Sequence, residues 1–225
     1  MKPAARAAWP PVGTAARGSC RACAKKSYPY NLAVKKISTA TIEQKNLFED
    51  FFVVNSERTV EWLGGVNFDN LQTVLNKIKK LVEEDPAEEI YLVVNSYGGP
   101  TGVGMSFYDA VESWLRPNLT TVGSGDVDSS GIIVFLAGEK RYLTKNTTLL
   151  FHLAGRTFST EKRFSTADLE NILKEDKLKD YQYACVVSDR TNGRYSPEEV
   201  LNLMKNNTVL TALEAVQMGL AHKVL

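Results

Sequence analysis

The stretch Ile90-Tyr91-Leu92-Val93-Val94-Asn95-Ser96-Tyr97-Gly98-Gly99-Pro100 decides the fold. It begins as a short apolar run with β-branched content, the pattern of a strand buried on both faces in a parallel sheet. The run ends in a polar loop with two adjacent glycines. Both flanks have helical spacing. Upstream, Leu71, Val74, Leu75, Ile78, Leu81 and Val82 mark one face of a helix that opens at Asp69 or Asn70 and stops at Pro86. Downstream, Phe107, Tyr108, Val111, Trp114 and Leu115 mark one side of a second helix ending before Pro117.

The alternation continues outward. Thr59–Leu63 reads as a strand turning at Gly64-Gly65, and Leu119–Val122 as another, followed by the polar bend Gly123–Gly131. Ile132–Ala137, Lys140–Leu143 and Thr148–Phe151 carry the pattern on. The last third is helical: a long helix over Thr166–Ser188 closed by Asn192-Gly193, then capping boxes at Ser196-Pro197-Glu198-Glu199 and Thr211-Ala212-Leu213-Glu214. Strands alternating with helices predict βαβ units and a mainly parallel sheet, so the fold class is α/β.

Composition sets limits on function. Apolar residues make up 44% and charged residues 24%, as in an ordinary globular chain, and no apolar run is long enough to cross a bilayer. The net charge of +1 hides an asymmetry: residues 1–42 hold eight Lys/Arg and no acid, while the remainder carries 19 basic and 26 acidic groups. An acidic body argues against nucleic-acid binding as the main role. The basic start has the composition of a transit peptide and equally of a disordered tail. Residues 43–225 form the expected domain. Cys20 and Cys23 make a lone C-x-x-C, Cys185 is expected in a helix core, and two histidines are too few to complete a zinc site, so neither metal nor cofactor is expected.

Ligands of parallel sheets bind beyond the carboxyl ends of the strands. Three features fall at such ends. Gly98-Gly99 permits close backbone approach and exposes amides, although a plain tight turn has the same sequence. Ser129 lies in a strand-to-helix bend, where helix amides favour negative charge; an N-cap serine has the same signature. His152 follows the strand Thr148–Phe151 and, as a general base, would need a nucleophile within reach. The other histidine, His222, is expected to be exposed.

Taken in order, strand–Gly-Gly, strand–bend–Ser and strand–His, these features resemble the ClpP family, the proteolytic subunit of the Clp protease. Its Asn-Ser-Pro-Gly-Gly loop corresponds to Asn95–Gly99, and its Gly-Met and Ile-Tyr-Asp helix to Gly104–Asp109. Its Gly-Gln-Ala-Ala-Ser-Met-Gly bend corresponds to Gly125–Gly131, and its Met-Ile-His segment to Leu150–His152. Its closing Ser-Ala-x-Glu-Ala-Val-x-x-Gly-Leu-Val run corresponds to Thr211–Ala221. The resemblance implies the ClpP/crotonase-like fold of stacked ββα units. It implies that Ser129 attacks the scissile carbonyl, that His152 takes its proton, and that Gly98, Gly99 and Ser130 form the oxyanion hole. It also implies a projecting strand–helix handle over about 156–190, self-association into stacked rings around a chamber, an AAA+ unfoldase as partner and peptide or unfolded protein as substrate. It gives no role to nucleic acid or membrane. The expected compartment is the cytoplasm, or an organelle stroma or matrix if the basic start is a transit peptide.

Departures from the family pattern concentrate at the third member of the triad. Counting back from Thr211 puts Leu203 where the family has Asp, and leucine cannot orient an imidazole. Asn202, Asn206 and Asn207 lie within about one turn of that slot and are candidate neutral orienters. Asp126 and Asp128 stand where the family has uncharged residues, and Asp128 is a further candidate. Tyr97 replaces a proline and Leu153-Ala154 replaces Gln-Pro, which alters the groove. Three functions fit these residues: a ClpP-like serine endopeptidase, a catalytically impaired structural subunit of the same fold, and a crotonase-like acyl-CoA enzyme.

Overall fold

The computed structural model describes residue 52, residues 54–158 and residues 163–225. The readings on the basic start at 1–42 and on Cys20 and Cys23 lie outside the described residues.

Five parallel strands make the central sheet in the order β1 (Thr59–Leu63), β2 (Ile90–Ser96), β3 (Leu119–Val127), β4 (Lys140–Leu143), β7 (Lys223–Val224). A small second sheet branches from the end of β3, where Asp126 pairs with Thr148 of β5 (Thr148–Leu150), and β5 pairs antiparallel with β6 (Val209–Thr211). The helices are α1 (Phe68–Glu84), α2 (Thr101–Asp109), α3 (Ser130–Leu136), α4 (Thr166–Arg190), α5 (Pro197–Lys205) and α6 (Ala212–Met218).

The core follows from the apolar pattern. β2 buries Ile90, Leu92 and Val94, and α1 turns Leu71, Val74 and Ile78 inward behind an Asn67 cap that accepts from the Asn70 amide. Trp62 meets Phe107 edge to face at 5.2 Å, both without exposed surface. A side chain of that size contributes about 2–3 kcal/mol on full burial. α3 is buried along its whole length, so its apolar run Ile132–Ala137 shows no amphipathic period.

Three local expectations change. The strand read as Leu119–Val122 runs on to Val127, because Gly125 at φ +77° lets it bulge and continue into the β5 pairing; β2 shifts register between Val94 and Ser96. After α2 the last turn, Ala110–Leu115, widens to i→i−5 bonding, with the Arg116 amide on the Val111 carbonyl. That extra residue rotates Trp114 off the apolar side, and it is 58% exposed with the Lys79 ammonium 5.1 Å over its ring. Cys185 is half-buried instead of core. Ahead of α4, the backbone at 156–158 and 163–165 is irregular.

Candidate active site

The site is built where β3 turns into α3. The amide of Asp128 donates to the Ser96 carbonyl (2.8 Å) and that of Ser129 to the Leu150 carbonyl (2.8 Å), so the bend is fastened to β2 on one side and β5 on the other. Between these bonds Ser129 takes φ 54°, ψ −128°. Such a conformation costs a non-glycine residue about 1–3 kcal/mol and persists only where the surroundings enforce it. It is the geometry of a sharp strand-to-helix turn that lifts a side chain out of the sheet.

Ser129 occupies the N-cap position of α3, yet its side chain makes no cap hydrogen bond. The other hydroxyl caps behave differently: Ser165, Ser196 and Thr211 each accept from an amide three residues on and close a capping box. The Ser129 hydroxyl is thus not used to cap its helix.

The Gly-Gly loop lies directly on this bend. A Cβ on Gly98 would stand 2.6 Å from the Ser129 Cβ, and one on Gly99 2.2 Å from the Val66 carbonyl oxygen, so neither position admits a side chain. The loop is fixed by three bonds: the Gly98 amide to Ser96 Oγ (3.1 Å), the Val66 amide to the Gly98 carbonyl (2.8 Å), and Ser130 Oγ to the Gly99 carbonyl (2.9 Å). Among the described residues the amides of Gly99 and Ser130 have no acceptor. The pair of backbone donors needed for a developing oxyanion is therefore unspent.

His152 follows β5. Its neighbour Phe151 is buried, and the Phe151 amide donates to the Thr208 carbonyl (2.8 Å). The imidazole is half-buried, with Nδ1 2.8 Å from the Leu153 carbonyl. A carbonyl only accepts, so this contact puts the proton on Nδ1 and leaves the Nε2 lone pair for a base. Ser129, His152, Gly98 and Gly99 line one cleft of about 540 Å³, with Tyr97 on its rim. Ser130 is buried behind it. Among the described residues Ser129 and His152 share no hydrogen bond. His222 is exposed but occupied: its Nδ1 accepts from the Arg141 amide at 3.0 Å, and partial burial of the ring and the Arg141 charge lower its pKa.

Leu203 packs on the core, while its carbonyl accepts from the Thr208 amide. Asn202, Asn206 and Asn207 are exposed, and among the described residues none of their side chains bonds to His152. Asn207, at φ 48°, directly precedes Thr208, whose carbonyl holds the Phe151 amide. Two carboxylates bond to the backbone of the histidine segment. Asp128 Oδ1 accepts from the Leu150 amide (2.9 Å) and Asp180 Oδ1 from the Ala154 amide (2.8 Å), two residues either side of His152. Burial pushes the Asp128 carboxyl up, against the Leu150 amide and the charge of His152. Burial likewise raises Asp180, opposed by the Ala154 amide and by His152.

Ser96, part of the Asn95–Gly99 loop, ties the Gly-Gly pair to the bend. Two contributing residues escape a reading by motif: Asp180 and Tyr183, both on α4, come from far along the chain. Tyr183 is buried, its phenol held un-ionised by that burial, and it donates to the Ser129 carbonyl at 3.1 Å. Only its apolar spacing with Val187 hinted that this face of α4 turns inward.

Among the described residues there is no group of three side chains suited to hold a metal ion, and no helix long and apolar enough to cross a membrane. A family model described as Clp protease matches residues 43–225, the greater part of the chain and all of the site.

Proposed function

The chain belongs to the Clp protease family, and from that premise we propose that it is a serine endopeptidase with Ser129 as nucleophile and His152 as base. The observation that carries this reading is the Ser129 hydroxyl: held at positive φ on a helix N-cap, free of any capping bond, and opening on the same cleft as His152.

Ser129 Oγ attacks the carbonyl carbon of a bound peptide while His152 Nε2 takes its proton; the Nδ1–H bond to the Leu153 carbonyl keeps the ring in the tautomer this requires. The carbonyl oxygen becomes an oxyanion and is received by the Gly99 and Ser130 amides. Collapse breaks the C–N bond, and the imidazolium gives its proton to the leaving amine. Water, deprotonated by His152, then releases the acyl group and restores Ser129. Following the family's arrangement, the reaction takes place inside a chamber of stacked rings, supplied with unfolded chains by an AAA+ unfoldase. Tyr97 and the half-buried His152–Ala154 segment shape the groove that receives the substrate.

A second reading, a ring subunit without turnover, has one observation in its favour: among the described residues Ser129 and His152 are not hydrogen-bonded to each other. The family match favours both readings over acyl-CoA chemistry. Hydrolysis of a fluorogenic peptide by the assembled protein separates them. The peptidase reading expects activity that Ser129→Ala abolishes while the oligomer survives. Undiminished hydrolysis in that variant removes Ser129 from the mechanism.

A further inference from the structure

The position on the far side of His152 is the unassigned part of the site. Among the described residues neither the candidate amides nor a carboxylate bonds to the ring, but two carboxylates bracket its segment, Asp128 through the Leu150 amide and Asp180 through the Ala154 amide. They differ in what they face. Asp180 lines the cleft shared by Ser129 and His152; Asp128 does not. Asp128 also adjoins the nucleophile in sequence, where its charge opposes an alkoxide. Asp180 approaches from another element, α4, whose register is fixed one turn on by the Tyr183 bond to the Ser129 carbonyl.

The charges around Asp180 leave it for the histidine. Arg156 is taken by Glu175 and Asp176, and Lys179 by Glu175. Asp176 repels Asp180, and Tyr183 is un-ionised. Among the described residues Asp180 has no ion pair within 4.0 Å, with His152 or with a Lys or Arg. We infer that Asp180 is the electrostatic partner of His152, a positioning residue that faces the imidazole across the cleft and, without bonding to the ring, stabilises its protonated form after proton transfer from Ser129. Its part in hydrolysis rests on the serine-peptidase reading; the pairing itself does not.

The chain has two histidines, so an NMR titration of the full-length protein carrying 13C-labelled histidine gives two ring signals, and His222→Asn identifies the one from His152. Asp180→Asn keeps the side-chain volume and an oxygen for the Ala154 amide but removes the charge. Losing a nearby opposite charge should move the titration of the His152 ring signal to lower pH. The acid limb of Ser129 modification by a fluorophosphonate should move down with it, and the maximal rate should fall about tenfold. Asp180→Glu, which keeps the charge, should restore most of both. An unmoved His152 midpoint in Asp180→Asn overturns the pairing, whether or not the chain cleaves peptide. So does a midpoint that falls as far in Asp180→Glu. A change seen in Asp180→Ala alone would reduce Asp180 to a brace for Ala154 and equally overturn it. Ser129→Ala leaves the titration readable, so failure of the peptidase reading is seen separately.

Discussion

The two halves of the site are held by different physics. Around Ser129 the constraint is steric: Gly98, Gly99 and Gly131 each sit where a Cβ would fall within 3.0 Å of a neighbour, and the serine keeps a positive φ because the chain has no other path. Around His152 the constraint is polar. The ring holds its own neighbour's carbonyl, and its segment hangs from one buried phenylalanine and two carboxylates on amides. A serine already fixed in its bend thus shares a cleft with a histidine whose placement depends on a distant helix. The first half should respond to added volume, and the second to charge and pH.

The largest effect is expected on the steric half. Gly99→Ala drives a methyl into the Val66 carbonyl, a backbone atom that cannot step aside. It should cost about 3 kcal/mol in urea melts and abolish modification of Ser129. A folded, fully reactive variant would show that the loop is not fixed as described.

Relief of strain comes next. Ser129→Gly should be about 1 kcal/mol more stable than Ser129→Ala, since glycine accepts φ 54° freely and alanine does not. Equal stability would mean that the bend stores no strain. Tyr183→Phe removes the link from α4 to the Ser129 carbonyl. It should cost about 1 kcal/mol and slow Ser129 modification, sharpening the idea that both halves lean on one helix.

The smallest effect is a pH dependence on the polar half. Burial raises Asp128 and Asp180, so the fold prefers their protonated forms. Their contribution is present below the ordinary carboxylate range and is lost as pH rises through the raised values. The Tm of Asp128→Asn and Asp180→Asn should therefore match or exceed wild type at neutral pH, and the difference should shrink toward about pH 4. A neutral-pH Tm below wild type would make these carboxylates structural supports.

The same division explains what the sequence made legible. The buried strand Ile90–Val94, the loop after it, Ser129 and His152 are readable because short-range chain chemistry dictates them: an apolar run, a Gly-Gly pair, a serine at a strand-to-helix turn, a histidine after a strand. The continuation of β3 past Gly125 was hidden, because a polar, glycine-rich segment reads as a bend until its β5 partner is known. Trp114 was misplaced by a single widened turn. The group beyond His152 was hidden most deeply. Counting positions led to Leu203, a half-buried residue packed on the core, whereas Asp180, which lines the cleft, enters from α4, 28 residues beyond the histidine in the chain. Long-range docking of a charged helix leaves no periodic mark.

The most direct measurement is mass-spectrometric mapping of the fluorophosphonate adduct on the assembled protein and on His152→Asn. The account predicts one adduct, on Ser129, formed in wild type and lost with the imidazole. An unmodified Ser129, or an adduct there that forms as fast without His152, would contradict it.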